Sequence, residues 1–336
     1  MAMRFPGKPH SQSLLLVGVW INRNWILGNW IKEVRVRNPK STRLHWVASV
    51  FAEKHFWEKF VKFPLPKYGA YFFSYPSMFE SYLKLNPGRY QNHSIVNYTH
   101  NLDELGNLQH QAEILNQSHS VHFNCSTDAE ALVAVGLNPI KIRLIYGAVD
   151  SDCKPQVGIK REQKTILLAS RYGERKGLDV FPALVELLPE WKFIILGRGW
   201  EDFLKKENLL SNPRIEYQFF NKEARNIAMS RATIFLSLSR LEGGPIPLIE
   251  SMAMGVIPVA TDTGFARDLI AQGKNGLVIP NPPTALQVRD AILIAETLTG
   301  SPQESVKHLN WDRLSDIVMN DAQEIWRIES SRAGNA

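Results

Sequence analysis

Cysteine is nearly absent from this chain of 336 residues: there are two, Cys125 and Cys153. They cannot form the disulfide framework of a small secreted domain, so a reducing, cytoplasmic setting is expected. Long apolar runs are absent too, and no stretch approaches the roughly 18 consecutive apolar residues of a membrane span. The run Ser13–Trp20 follows basic residues as a signal sequence would, but it lacks a small-residue cleavage site and reads as a buried first strand. Acidic residues are scarce in one region only. Residues 1–100 hold 14 Lys and Arg against 4 Asp and Glu, a balance of +10, while 101–150 hold 2 against 6 and 151–336 hold 23 of each. The net charge of +6 therefore originates in the first hundred residues. Such a field favours an anionic partner: a phospholipid surface, a phosphorylated acceptor or nucleic acid. Nucleic acid is disfavoured, because the second half is neutral and the basic excess forms no recognisable binding motif.

With 44% hydrophobic and 21% charged residues, the chain has the composition of a globular protein long enough for two domains. Short β-rich apolar runs alternate with helical patterns, which predicts parallel α/β architecture. The first series of strands is Leu14–Trp20, Leu44–Val50, Ala70–Tyr75, Ser94–Tyr98, Ser120–Asn124 and Ile142–Tyr146. Thr127 and Glu130 have the spacing of a capping box, so a helix is expected to start after Ser126. The polar stretch Asp150–Lys164, with Pro155 and Gly158, reads as a linker. A second series follows: Thr165–Ala169, Lys192–Leu196, Ile215–Phe219, Ala232–Leu236, Ile257–Ala260 and Gly276–Ile279. The domains are placed at 1–153 and 154–315, with 316–336 a helix and tail. Two such halves imply a cleft at the carboxyl ends of their strands, where a ligand would lie.

The chemistry concentrates in residues 242–250, Glu-Gly-Gly-Pro-Ile-Pro-Leu-Ile-Glu. Gly243 and Gly244 allow close backbone approach to a ligand, and a helix opening near Ile246 would present free N–H groups suited to a phosphate. Glu242 would lie on the loop and Glu250 about two turns into the helix. Carboxylates are poor phosphate ligands but good acceptors for sugar hydroxyls, and a nucleotide-sugar offers both chemistries. Arg171 and Lys176 follow a strand and suit a diphosphate. Gly197 and Gly199 close another strand; with no third glycine they fail the dinucleotide fingerprint.

In order and spacing these features resemble the retaining GT-B glycosyltransferases of glycosyltransferase family 4, the group 1 transferases. Arg171 and Lys176 fall on the family's Arg-x4-Lys-Gly and Glu242 to Glu250 on its Glu-x7-Glu. Ser251-Met252-Ala253-Met254-Gly255 and Gly273-Lys274-Asn275-Gly276-Leu277 match two further segments. Asn97-Tyr98-Thr99-His100 resembles the strand that ends in a histidine, and Gly147-Ala148-Val149-Asp150 the segment that closes the first domain. The resemblance implies two Rossmann-like domains facing a cleft, the first taking the acceptor and the second the donor, with the C-terminal helix returning to the first. It implies a nucleotide-sugar donor (a UDP-sugar, or GDP-mannose) and a glycan, lipid-linked or other small acceptor, with no cofactor and no metal. Arg171 and Lys176 would hold the diphosphate, Glu242 the donor sugar beside Gly243 and Gly244, Glu250 the ribose, and His100 would lie near the sugar. The family's first loop carries Gly-Gly, where this chain offers only Gly28-Asn29.

Other residues have plainer readings. His119, His122 and Cys125 could suggest a metal, but their placement on a strand favours ordinary packing. Glu53–Phe63 sets Phe56, Phe60 and Phe63 on one helical face, which fits a helix on the inner face of a membrane as well as one packed on the first sheet. A sugar-nucleotide epimerase and a non-catalytic nucleotide-sugar-binding protein are the alternatives to a transferase.

Overall fold

The computed structural model describes residues 12–19, 26–47, 65, 67–98 and 107–334. Among these the chain forms two compact units: residues 1–145 with 311–336, and residues 146–310. The division thus falls between Ile145 and Tyr146, and the C-terminal helix, Trp311–Gly334, rejoins the first unit. The expected amphipathic segment Glu53–Phe63 lies outside the described residues, and so does His100.

The first unit holds one parallel sheet of β1 (Leu14–Val19), β2 (Thr42–Val47), β3 (Ala70–Phe73), β4 (Ser94–Tyr98), β5 (Ser120–Phe123) and β6 (Ile142–Leu144), in the order β2-β1-β3-β4-β5-β6. Every residue of β1 is buried, as expected for a parallel strand covered on both faces. Its core is strongly aromatic: Tyr71, Phe73, Phe79, Tyr82, Tyr90, Tyr98 and Phe123 pack together under the helices. The helix expected near residue 127 begins at Ser126, with Cys125 as its cap and no side-chain capping bond. Thr127 therefore sits inside the first turn, and Thr127 with Glu130 is not a capping box.

The C-terminal helix docks through a buried carboxylate. Asp321 is 4% exposed; its Oδ2 accepts from Ser120 Oγ at 2.6 Å and lies 2.7 Å from His122 Nε2, while Oδ1 accepts from Arg143 Nε at 3.1 Å. Burial alone would push this carboxyl up, but His122, Ser120 and the Arg143 charge outweigh it and hold the group down at about 2. His119, Asp321 and Glu324 come close enough together to suggest a cation site, yet Arg143 already satisfies Asp321 and lies 3.9 Å from Glu324. His122 and Cys125 are not part of that group; His122 is the helix-docking residue.

The second unit repeats the plan with β7 (Thr165–Ala169), β8 (Lys192–Leu196), β9 (Ile215–Gln218), β10 (Ile234–Ser237), β11 (Ile257–Thr261) and β12 (Leu277–Ile279), in the order β12-β11-β10-β7-β8-β9, all parallel. All twelve expected strands are present, with edges shifted by up to three residues. Among the described residues no helix is long and apolar enough to cross a membrane.

The Asp321 network yields a prediction. Removing one partner of a buried ion pair leaves the others uncompensated, so Asp321→Ala should destabilise the chain by about 3 kcal/mol at pH 7. Because the folded-state value lies below the ordinary 3.8, the wild-type advantage should shrink as pH falls from about 4 toward 2. Urea unfolding followed by tryptophan fluorescence measures both.

Candidate functional site

In the second unit, strands β7 to β9 extend the sheet one way and β10 to β12 the other. Loops leaving β7 and β10 therefore diverge onto opposite faces and open a crevice at the strands' carboxyl ends. Those two loops carry the predicted site. They are tied by one backbone bond and one side-chain bond: Arg240 N donates to Arg175 O at 2.7 Å, and Arg175 Nη1 donates to Leu241 O at 2.9 Å. Glu242 is only 7% exposed, so its charge needs a cation nearby. Lys176 Nζ bonds its Oε1, and Arg175 Nη1 stands 3.5 Å from its Oε2. The Glu242 amide donates to Thr263 Oγ1 at 3.0 Å, on the loop after β11. Gly264 follows with a φ of 55°, and a Cβ there would come within 3.0 Å of Glu242 O. The loop bearing Glu242 is thus held on both sides.

Gly243 is buried and Gly244 half-buried, and the helix Ile246–Ala253 opens off Pro245. Ile246 is its first residue, so Glu250 lies four residues on, about one turn into the helix rather than two. Glu250 is 6% exposed and faces a second cation, Arg225 on helix Lys222–Arg231. Arg225 Nη1 donates to Glu250 Oε1 at 2.6 Å. Burial pushes the Glu250 carboxyl up; Arg225 opposes, the charges of Asp150 and Asp152 reinforce, and the group comes to about 7. Cys153 Sγ packs 3.7 Å from Glu250 O, and burial pushes that thiol up to about 12, which makes it an inert packing group.

The other predicted residues divide. Arg171 is exposed on the loop after β7, and Gly199 is exposed after β8. Gly197 is buried where the β7 and β8 loops touch: a Cβ would stand 1.9 Å from Ser170 O, which also accepts from Trp200 Nε1 at 2.8 Å. That approach demands glycine whatever else the residue does. Gly28 is a buried position in helix Ile26–Arg37, which follows β1. Arg175 and Arg225 were not anticipated, whereas Thr263 lies in Val259–Gly264, a strand-to-loop edge that the sequence reading joins to the motif. Arg175 adjoins Lys176 and had that much signal; Arg225 sits in a Lys-Glu-Ala-Arg run that reads as a solvated helix face.

A cavity of about 300 Å³ in the first unit, lined by Asn92, His93, His119, Lys141, Glu329 and Arg332 among others, lies elsewhere. It sits at the amino ends of β4, β5 and β6, the opposite end from a ligand crevice, and its Glu329 already pairs with His93 and Arg332.

Two parallel six-stranded α/β units, with the C-terminal helix returning to the first and charged loops at the switch point of the second, define a GT-B glycosyltransferase fold. Residues 150–306 match the family described as glycosyl transferases group 1. It is similar to a phosphatidylinositol N-acetylglucosaminyltransferase component of Homo sapiens, 25% identical over 193 residues, covering 54% of this chain and 40% of that protein. The phosphatidyl-myo-inositol mannosyltransferase of Mycobacterium tuberculosis is 28% identical over 182 residues, covering 48% of this chain and 47% of that protein. The chain thus spans less than half the length of these two relatives. Among solved structures, sucrose-phosphate synthase from Thermosynechococcus elongatus shares the fold with a TM-score of 0.75 at 14% identity, covering 94% of this chain and all of that one.

Overpacking the contact at Gly197 gives a test of the site's framework. Gly197→Ala should cost about 2 kcal/mol, because the added carbon must displace the Ser170 carbonyl. Thermal unfolding followed by circular dichroism reads the loss.

Proposed function

We propose that the chain is a retaining glycosyltransferase that moves a sugar from a nucleotide-sugar to a lipid-linked, glycan or other small acceptor. The observation that carries this reading is the pairing of Lys176 with a buried Glu242 at the switch point, next to a Gly-Gly turn and a helix N-terminus. A donor diphosphate at this helix N-terminus competes with Glu242 for Lys176. Once Lys176 turns to the phosphate, Glu242 is left to accept hydrogen bonds from hydroxyls of the donor sugar. The lysine thereby shifts its charge toward the oxygen that becomes negative as the leaving group departs, and electrostatic stabilisation is the main catalytic contribution. Arg171, exposed on the same loop, and Arg175 add positive charge there. Glu250 receives the ribose.

In the reaction the bond from the anomeric carbon to the diphosphate oxygen breaks. The acceptor hydroxyl oxygen bonds to that carbon from the same face, and its proton passes to the departing diphosphate. Configuration is retained, and no residue is required as a dedicated base. Lysine and arginine neutralise the diphosphate, so the step proceeds without a metal. The relatives' names, with phosphatidylinositol in both, support a lipid-linked acceptor over a free glycan, and the basic first hundred residues suit attachment to an anionic membrane surface. A UDP-sugar or GDP-mannose serves as donor, and His100 is assigned to its sugar.

The test is a screen of UDP- and GDP-sugars with the full chain, read by released nucleotide. One donor is expected to be turned over. Glu242→Ala should lower that turnover by at least about 100-fold while circular dichroism shows an unchanged fold. Wild-type turnover in the variant would remove Glu242 from the site, and a donor that binds without transfer or hydrolysis would make the chain a nucleotide-sugar-binding protein.

A further inference from the structure

Arg225 is the largest charged side chain in the second unit to be withdrawn almost wholly from solvent, with 2% of its surface exposed. A guanidinium that deep needs compensation on every side of its fork. It has it: Nη1 donates to Glu250 Oε1 at 2.6 Å, Nη2 to Asp152 Oδ1 at 2.7 Å, and Nε to Asn226 Oδ1 at 3.1 Å. Asn226 Nδ2 in turn donates to Asp152 O at 2.7 Å. Asp150 Oδ2 stands 3.9 Å from Arg225 Nη1, and Lys222 Nζ reaches Asp152 Oδ2 at 2.7 Å and Asp150 Oδ2 at 3.1 Å. A single buried cation therefore joins the helix bearing Glu250 to the segment 150–152 at the start of the second unit.

Only one oxygen of Glu250 is taken by this bond. We infer that Arg225 is a positioning residue for nucleotide recognition: it fixes the Glu250 carboxylate with Oε1 engaged and Oε2 left to accept from the hydroxyls of a nucleotide ribose. The inference rests on the reading of Glu250 as the ribose acceptor. The groups facing Glu250 are Arg225 and the acids Asp150 and Asp152, with the Cys153 thiol against its backbone. Two of the three charged neighbours are negative, so loss of Arg225 pushes the buried carboxyl further up and favours its protonated form, a weaker acceptor. Asp150 and Asp152 offset the charge of Arg225 and Lys222, which keeps the cluster near neutrality.

The experiment compares UDP and GDP with their 2′,3′-dideoxy counterparts by titration calorimetry at pH 7 and pH 9. For the wild-type chain, loss of the ribose hydroxyls should weaken binding on the order of ten-fold or more, the size expected for hydrogen bonds to a charged group. In Arg225→Met that discrimination should collapse toward unity at pH 7 and rise as the pH is raised toward 9, the direction that favours the ionised carboxylate. Arg225→Lys, which keeps the charge, should retain most of it. A merely structural Arg225 would weaken ribo- and dideoxynucleotides alike, and an undiminished ratio in Arg225→Met would overturn the inference. If Arg225→Met does not fold, a pH-independent ratio in Arg225→Lys equal to that of Glu250→Ala overturns it as well. Glu250→Ala separates the two levels. Unchanged discrimination there refutes the ribose reading itself, whereas lost discrimination in Glu250→Ala with full discrimination in Arg225→Met refutes only the role of Arg225.

Discussion

Two carboxylates more than nine-tenths buried must each be met by a cation, and the candidate site follows from that requirement. Glu242 and Glu250 belong to one loop and the helix it opens into, but neither partner does: Lys176 comes from the loop after β7 and Arg225 from helix Lys222–Arg231. A parallel sheet that reverses its growth between β7 and β10 is what brings these separated segments to one edge. The hydrogen bonds between the two loops, and the Thr263 hydroxyl accepting from the Glu242 amide, hold the acids in place. The electrostatics and the topology are therefore one constraint. Removing the switch point would leave buried charge without compensation.

What was legible in the sequence was local. Strands showed themselves because parallel strands are continuous apolar runs, and the Glu-Gly-Gly-Pro turn with its following helix is encoded within nine residues. Helix starts were less readable: Thr127 and Glu130 have the right spacing, yet the chain turns at Cys125 without a side-chain cap. The helix begins at Ile246, as expected, but four residues from there to Glu250 make about one turn, so the expected two turns overstated its depth. Partner choice was not legible at all. Lys176 and Glu242 are 66 residues apart, and Arg225 has the helix-surface pattern of a solvated residue. Nothing in the spacing distinguishes it from Arg231. The same holds for Asp321, whose role in seating the C-terminal helix depends on Ser120, His122 and Arg143 from two strands far back in the chain.

The two acids occupy different electrostatic situations, and this separates the roles proposed for them. In the proposed function a donor diphosphate draws Lys176 from Glu242, so that pairing is exchangeable. Glu250 has a cation that is itself locked by Asp152 and Asn226, so its pairing is fixed. An exchangeable pair suits a group that must respond to the donor, and a fixed pair suits a group that only recognises it. The most direct measurement is a crystal structure of the chain with UDP or GDP bound. The account predicts that Lys176 Nζ leaves Glu242 for a phosphate oxygen, that a ribose hydroxyl lies within about 3 Å of Glu250, and that the Arg225 to Glu250 bond persists. A nucleotide bound away from both glutamates, with the Lys176 to Glu242 pair intact, would contradict it.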